Sequence, residues 1–319
     1  MAYSTSGIAG LAFAALTAVF LPVLVGSQWV LIFTSTACFA LAAAGIGLMY
    51  ARLNMVSLTQ VGLMGVGGWV TLRMNHGLGL PFEFNLLAAG VVTAAFGMLL
   101  ALPALRMRGL YLALITLMSA GGIEIVLSTF RFPNGGEGFW GVMPSVAAPF
   151  RRPVLAIEDG AYLRYAIVVS TLGMLLIELH RRGAPGRAWA MIRRSEAAAM
   201  ASGVNVTLYK AWAFALSGLL AGLAGGLLAG SIGLLDAATF RAPESIMLFA
   251  LAVVGGAGSW PGAVIAAILY RVLPALFNDW GLNPDLALVI FGAALLHAIM
   301  TAPEGIAGQI RAALPRWAK

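Results

Sequence analysis

The residues able to do chemistry in this chain are few, and their spacing excludes more than it offers. The three histidines of the 319 residues, His76, His180 and His297, are too far apart to show any metal-ligand spacing. No HExxH pair occurs, and no serine, histidine and aspartate group together as a nucleophile with its base. The two lysines, Lys210 and Lys319, do not follow a GxxxxG spacing, so there is no phosphate-binding loop. A process driven by ATP therefore needs the nucleotide and its magnesium on another polypeptide, and no catalytic residue, metal site or cofactor is assigned to this chain. What remains is charge in unusual places. Glu124 lies well inside an apolar stretch, where an ionisable side chain is either a polar contact on a solute path or a hydrogen-bonded structural group. Glu178 and Arg271 lie nearer the ends of such stretches, within reach of Arg181 or water and of the outer headgroups respectively. A proton-driven carrier would use more buried acids than these.

The densest charge is in Gly183 to Lys210. Pro185 and Gly186 open this stretch and Gly203-Val204-Asn205 closes it. Between them Arg187 to Ser202 is rich in good helix formers, which predicts one short helix with Trp189, Ile192, Glu196 and Met200 close to one face. A basic amphipathic helix outside the membrane is either a docking surface for a partner or an interfacial helix on lipid headgroups.

The elements that position these residues are apolar. The chain is 61% hydrophobic and 10% charged, with mean hydropathy +0.93, against about a quarter charged residues in soluble domains. The net charge of +7 reflects basic residues in short loops rather than a nucleic-acid surface. Cys38 lies within an apolar run and reads as packing. With about 20 apolar residues needed per crossing, the expected fold is an all-α integral membrane protein of about ten segments. They run 8–25, 30–50, 56–72, 86–105, 110–130, 161–179, 211–230, 245–254, 263–277 and 285–300. The regions 56–72 and 245–277 are short or broken. With both termini in the cytoplasm, twelve Lys and Arg residues face inward, including Arg52, Arg106, Arg108 and those of the 181–210 loop, against seven outward.

Glycines recur in matching places. Gly62, Gly65, Gly67 and Gly68 with Trp69 mark the third segment, and Gly255, Gly256 and Gly258 with Trp260 and Pro261 mark the eighth. An offset of five crossings inverts topology, so residues 1–160 and 161–319 read as inverted repeats of one membrane domain. Interrupted segments in matching positions point to a translocation path, or alternatively to close helix packing. For Gly222, Gly225 and Gly226 the packing reading is preferred.

Several stretches in order carry a family likeness. Gly186-Arg187-Ala188, Arg193-Arg194-Ser195-Glu196-Ala197-Ala198-Ala199, Gly203-Val204-Asn205-Val206 and Lys210-Ala211-Trp212 resemble the EAA loop of bacterial ABC-importer permeases. Further stretches resemble such permeases outside that loop: Arg106-Met107-Arg108-Gly109-Leu110-Tyr111 with Thr116-Leu117, Asn134-Gly135-Gly136-Glu137-Gly138, Ala221-Gly222-Leu223-Ala224-Gly225, Ser245 and Val254-Gly255-Gly256-Ala257-Gly258-Ser259 with Gly262. Across nearly the whole chain the pattern is most similar to the LivM-type permeases of branched-chain amino acid importers. It departs in its spacing, Glu196-x-Ala198-Ala199-x3-Gly203, and in reading Ser57-Leu58-Thr59-Gln60-Val61 where the family usually reads SLGHAA.

The resemblance implies a multi-pass permease of the bacterial inner membrane without its own ATPase. Its partners would be a second homologous permease, two cytosolic ABC ATPases holding ATP and magnesium, a periplasmic solute-binding protein and membrane lipid, with no nucleic acid. Residues 183–207 would form the ATPase-coupling loop through Arg187, Arg193, Arg194, Glu196, Ala198, Ala199 and Gly203. The translocation path would involve Ser57, Gln60, Gly65, Glu124, Ser245, Gly255, Gly256 and Gly258. The expected solute is a hydrophobic, branched-chain amino acid. Alternatives are urea, short amides or aromatic acids, and, outside the class, a self-sufficient secondary carrier.

Overall fold

The computed structural model describes residues 5–104, 107, 109–136, 141, 150–283, 286–301 and 304–313. Arg106, Arg108, Glu137, Gly138 and both chain termini, on which several expectations rest, lie outside the described residues. Among the described residues every regular element is helical. Among the described residues the first five helices are α1 (Thr5–Leu24), α2 (Ser27–Leu53), α3 (Gln60–Leu78), α4 (Phe82–Ala104) and α5 (Leu110–Phe130). Then follow α6 (Asp159–Arg182), α7 (Ala184–Arg194), α8 (Glu196–Ala201), α9 (Val206–Ile232), α10 (Ala242–Gly255), α11 (Trp260–Asp279), α12 (Leu286–Thr301) and α13 (Gly305–Ala313). Each of the ten apolar segments falls on a helix of its own. Among the described residues six helices are long and apolar enough to cross a membrane, and α1, α10 and α12 contain shorter apolar stretches.

Two helices form the centre. The most apolar stretches of α2 and α9 are 78% and 89% buried, against 28–33% for α4, α5, α6 and α11, whose large apolar side chains face outward as lipid or a partner requires. α9 lies along α2, α3 and α4 because it offers them glycine. A Cβ on Gly222 would come within 1.8 Å of Thr93 Oγ1 in α4, and one on Gly225 within 1.8 Å of the Met64 carbonyl in α3. Hydrocarbon gives helices no reason to associate by burial, so close backbone approach through small residues holds them together. The contacts also come in pairs. α4 runs along α9 as α11 runs along α2; α3 touches α4 and α5 as α10 touches α11 and α12; α1 meets α6.

The region 245–277, expected as short or broken, is two helices joined by a turn. Gly256 ends α10 at φ +106, a conformation that glycine adopts without steric cost. Ser259 then caps α11, accepting from Gly262 N at 3.2 Å. The turn packs on the end of α2, where a Cβ on Gly47 would strike the Ala257 carbonyl at 2.0 Å.

Arg271 does not extend outward to the headgroups. Its Nε donates to Ser35 Oγ of α2 at 3.0 Å and its guanidinium lies 5.6 Å from the Phe39 ring centroid.

Candidate coupling surface and polar path

The charged loop differs from the single helix expected. Ser195 has φ −162 and ψ 119, ending α7 and starting α8, and its hydroxyl accepts from Ala198 N at 3.3 Å. A serine that can cap a helix competes with continuing one. The expected face is therefore divided. Trp189 and Ile192 of α7 turn inward, the indole donating to the Tyr209 carbonyl at 2.9 Å. Met200 of α8 faces out. Glu196 reaches back to α9, with Oε1 2.7 Å from Nζ of the buried Lys210. Ala199 is buried beneath α8, Ala198 is exposed, and Gly203 closes the loop at φ +80 with its N–H on the Met200 carbonyl at 2.9 Å.

Arg187, Arg193 and Arg194 are exposed, making the outer side of α7 cationic. Arg193 also donates to the Ala51 carbonyl at the end of α2 at 2.6 Å. Beside it, Glu178 pairs with Arg181 and, at 2.7 Å, with Arg182. This end of the bundle thus gathers α7, α8, the end of α2 and the turn between α10 and α11.

The second group forms where α3 begins. After Asn54, at φ 54, ends α2, residues 54–59 are not helical. They double back along α2 so that Gln60, opening α3, is level with Ala42 and Gly45. Gln60 Nε2 donates to the Ala42 carbonyl at 3.0 Å and the Ser217 carbonyl at 3.3 Å, while its Oε1 accepts from Ser217 Oγ at 3.0 Å. Non-helical backbone at this depth needs partners for its polar groups. Thr116 of α5 accepts from Leu58 N at 3.0 Å, Ser245 of α10 accepts from Val61 N at 3.2 Å, and Ser57 meets Thr59 at 3.1 Å. Ser57, Gln60 and Ser245 are all buried.

Glu124 continues this polar line. It stands two turns beyond Thr116 on α5 and caps α10, with Oε2 accepting from Ala242 N at 2.8 Å. A carboxylate at a helix N-terminus is favoured by hydrogen bonding and by the helix dipole. It also borders a cavity of about 630 Å³ between the end of α5, residues 131–136 and residues 234–241. Gly65 sits just below, where a Cβ would press on Leu127 at 2.5 Å and Phe240 at 3.0 Å. Ser57, Gln60, Gly65, Ser245 and Glu124 are therefore brought together. Gly255, Gly256 and Gly258 stand apart from them, in the turn at the charged-loop end.

A family description, branched-chain amino acid transport system / permease component, matches residues 28–299. The chain belongs to this family of branched-chain amino acid transport permeases. It is 28% identical over 309 residues to the high-affinity branched-chain amino acid transport system permease protein LivM of Salmonella typhimurium, covering 89% of this chain and 71% of that protein. LivM of Escherichia coli matches to the same extent. The LivH permease protein of S. typhimurium is 26% identical over 85% of this chain and 91% of its own length. No solved structure matches.

Several partners in this permease were not legible in its sequence. Thr116, Ser217 and Lys210 were visible only as parts of family-like stretches, and the fold alone shows that they brace the approach to α3, hold Gln60 and pair with Glu196. Asn134 was visible in its glycine-rich loop, but its role was not: it bonds Leu235 twice, through Nδ2 to the carbonyl at 2.8 Å and through Oδ1 from the N–H at 3.0 Å. Arg152, read in the sequence only as one of the seven outward-facing basic residues, donates to the carbonyls of Gly230 and Ser231 at 2.8 and 2.6 Å, closing the end of α9, and to Asp159 at 2.7 Å.

Proposed function

We propose that this chain is the transmembrane subunit of an ABC importer that carries branched-chain amino acids across the inner membrane, powered by ATP hydrolysed on partner subunits. The family match over residues 28–299 carries this reading. The site geometry is consistent with it: no group in the polar line is arranged for bond-making, and the cationic α7–α8 unit is offered at one end of the bundle.

Coupling would run through α9. Its 27 residues make a rod about 40 Å long at ~1.5 Å per residue. Lys210 ties its inner end to Glu196 of α8, Ser217 ties its middle to Gln60, and Arg152 holds its far end. An ATPase that binds Arg187, Arg193, Arg194 and the exposed side of α8 differently in its open and closed states would shift this rod against α3. Ala198, Ala199 and Gly203 shape that contact. The path would follow Ser57, Gln60, Gly65, Ser245 and Glu124. Ten crossings in two inverted halves, with both termini in the cytoplasm, are supported by the placing of each expected apolar segment on a helix of its own, the equal 27-residue lengths of α2 and α9, the paired contacts and the distribution of Lys and Arg. The second permease, the two ATPases and a periplasmic binding protein complete the assembly.

The deciding experiment is leucine uptake into proteoliposomes holding the permease pair, the ATPases and the binding protein. Uptake should need ATP and stop when the ATPase is inactivated. Uptake that persists with an inactive ATPase would mean a self-sufficient carrier.

A further inference from the structure

The cavity beside Glu124 has the volume, the fixed walls and the charge of a binding site. Its volume of about 630 Å³ lies within the ~300–1,000 Å³ of small-molecule pockets. Asn134 clamps its two walls together through the paired bonds to Leu235. Arg131 is held at φ 54 and ψ 167, a region otherwise close to glycine's own, at a cost of about 1–3 kcal/mol. Trp69 fixes that conformation by donating to the Arg131 carbonyl at 3.0 Å. Backbone strain maintained at an arginine that lines a cavity is a reason to look at what the arginine faces. The lining holds Glu124 and Asp236 together with Arg131 and Arg241, and beside them Leu234 and Leu235.

We infer that this cavity is a binding station for a zwitterionic α-amino acid, in which Arg131 and Arg241 take the carboxylate, Glu124 and Asp236 take the ammonium, and the exposed Leu234 accepts an apolar side chain. This rests on the importer reading and gives its solute a place. A ligand of one charge would satisfy one pair of these groups and oppose the other. An uncharged ligand would strip water from all four without replacing it, which is costly. The station also lies at the head of the polar line. Glu124 and Ala242 border it, and Ser245, one turn along α10, binds the start of α3.

The test uses the complete permease–ATPase complex in nanodiscs without binding protein, with calorimetric titration of L-leucine, leucinamide (no carboxylate) and 4-methylpentanoate (no amine). Leucine should bind, and each analogue should bind at least about tenfold more weakly, the equivalent of ~1.4 kcal/mol. Arg241→Gln and Asp236→Asn, exposed loop changes that spare the helix cap made by Glu124, should each weaken leucine binding by about tenfold. Analogues that bind as well as leucine, or variants that bind it unchanged, overturn the assignment. Unchanged leucine binding with lost stimulation by the binding protein would make this face a protein-docking surface instead. ATP-driven uptake of leucine without these charge effects sinks the station alone, whereas a complex that never takes up leucine sinks the importer reading and the station with it.

Discussion

Glu196 Oε1 lies 2.7 Å from Nζ of Lys210, fourteen residues away, and the lysine side chain is 5% exposed against 25% for the glutamate. The residue expected to face a partner thus also neutralises a buried charge of its own chain. The two roles can be separated. Glu196→Gln strands the ammonium, and should cost about 2 kcal/mol after allowing for the glutamate's partial exposure. Adding Lys210→Met should restore the melting temperature of the purified protein. Uptake and co-purification with the ATPase should remain low in the double variant. If both recover with stability, Glu196 serves only its own fold.

Gly256 bears on a different question. A Cβ there would meet the Glu304 carbonyl at 2.7 Å, and its φ is +106. Gly256→Leu should therefore lower the yield of folded protein, because the turn cannot form, at a cost of at least about 1–3 kcal/mol for the backbone alone. The measurement is monodisperse yield from membranes, and a variant with normal yield but no transport would return this glycine to the path.

Removing the hydroxyl of Ser245 or Thr116 leaves a backbone N–H of the α3 entry without its acceptor. Ser245→Ala and Thr116→Val should each lose about 1–2 kcal/mol. Because both brace one short segment, their combined effect should depart from the sum. Thermal unfolding of both single variants and the double variant checks this, and strict additivity would mean that the segment is held elsewhere.

Arg152 makes its bonds as a planar fork, to Gly230 and Ser231 on one side and to Ile157 and Asp159 on the other. Arg152→Lys keeps the charge but not the fork. It should lose nearly as much thermal stability as Arg152→Ala, about 2 kcal/mol. A lysine variant as stable as the parent would show that charge alone suffices.

The helical architecture was legible because apolar run length is a direct physical requirement of crossing lipid, and each expected segment falls on its own helix. The coupling loop was legible in position and charge, but not in shape. Ser195 has the same composition in a helix as at a cap, and only its φ of −162 distinguishes them. Glu124 was found as an ionisable residue inside an apolar stretch, and Ser57, Gln60 and Ser245 through the family resemblance. Their partners were not, because the bonds from Gln60 to Ser217 and from Val61 to Ser245 span 157 and 184 residues, and no local pattern encodes such distances. Gly255 and its neighbours were legible as a break between two helices, but not in role, since a glycine cluster reads alike whether it lines a path or makes a turn.

The glycine contacts of α9 also constrain how the protein is made. α3 is not among the helices apolar enough to cross alone, and the groove that receives it is built by Gly222 and Gly225, which leave the ribosome long after it. Until α9 and α10 are synthesised, α3 can lean only on α2, α4 and α5, and its first turn lacks Ser217 for Gln60 and Ser245 for Val61. The packing of the first half is therefore completed by the second, and α3 gains its deepest contacts from helices made after it.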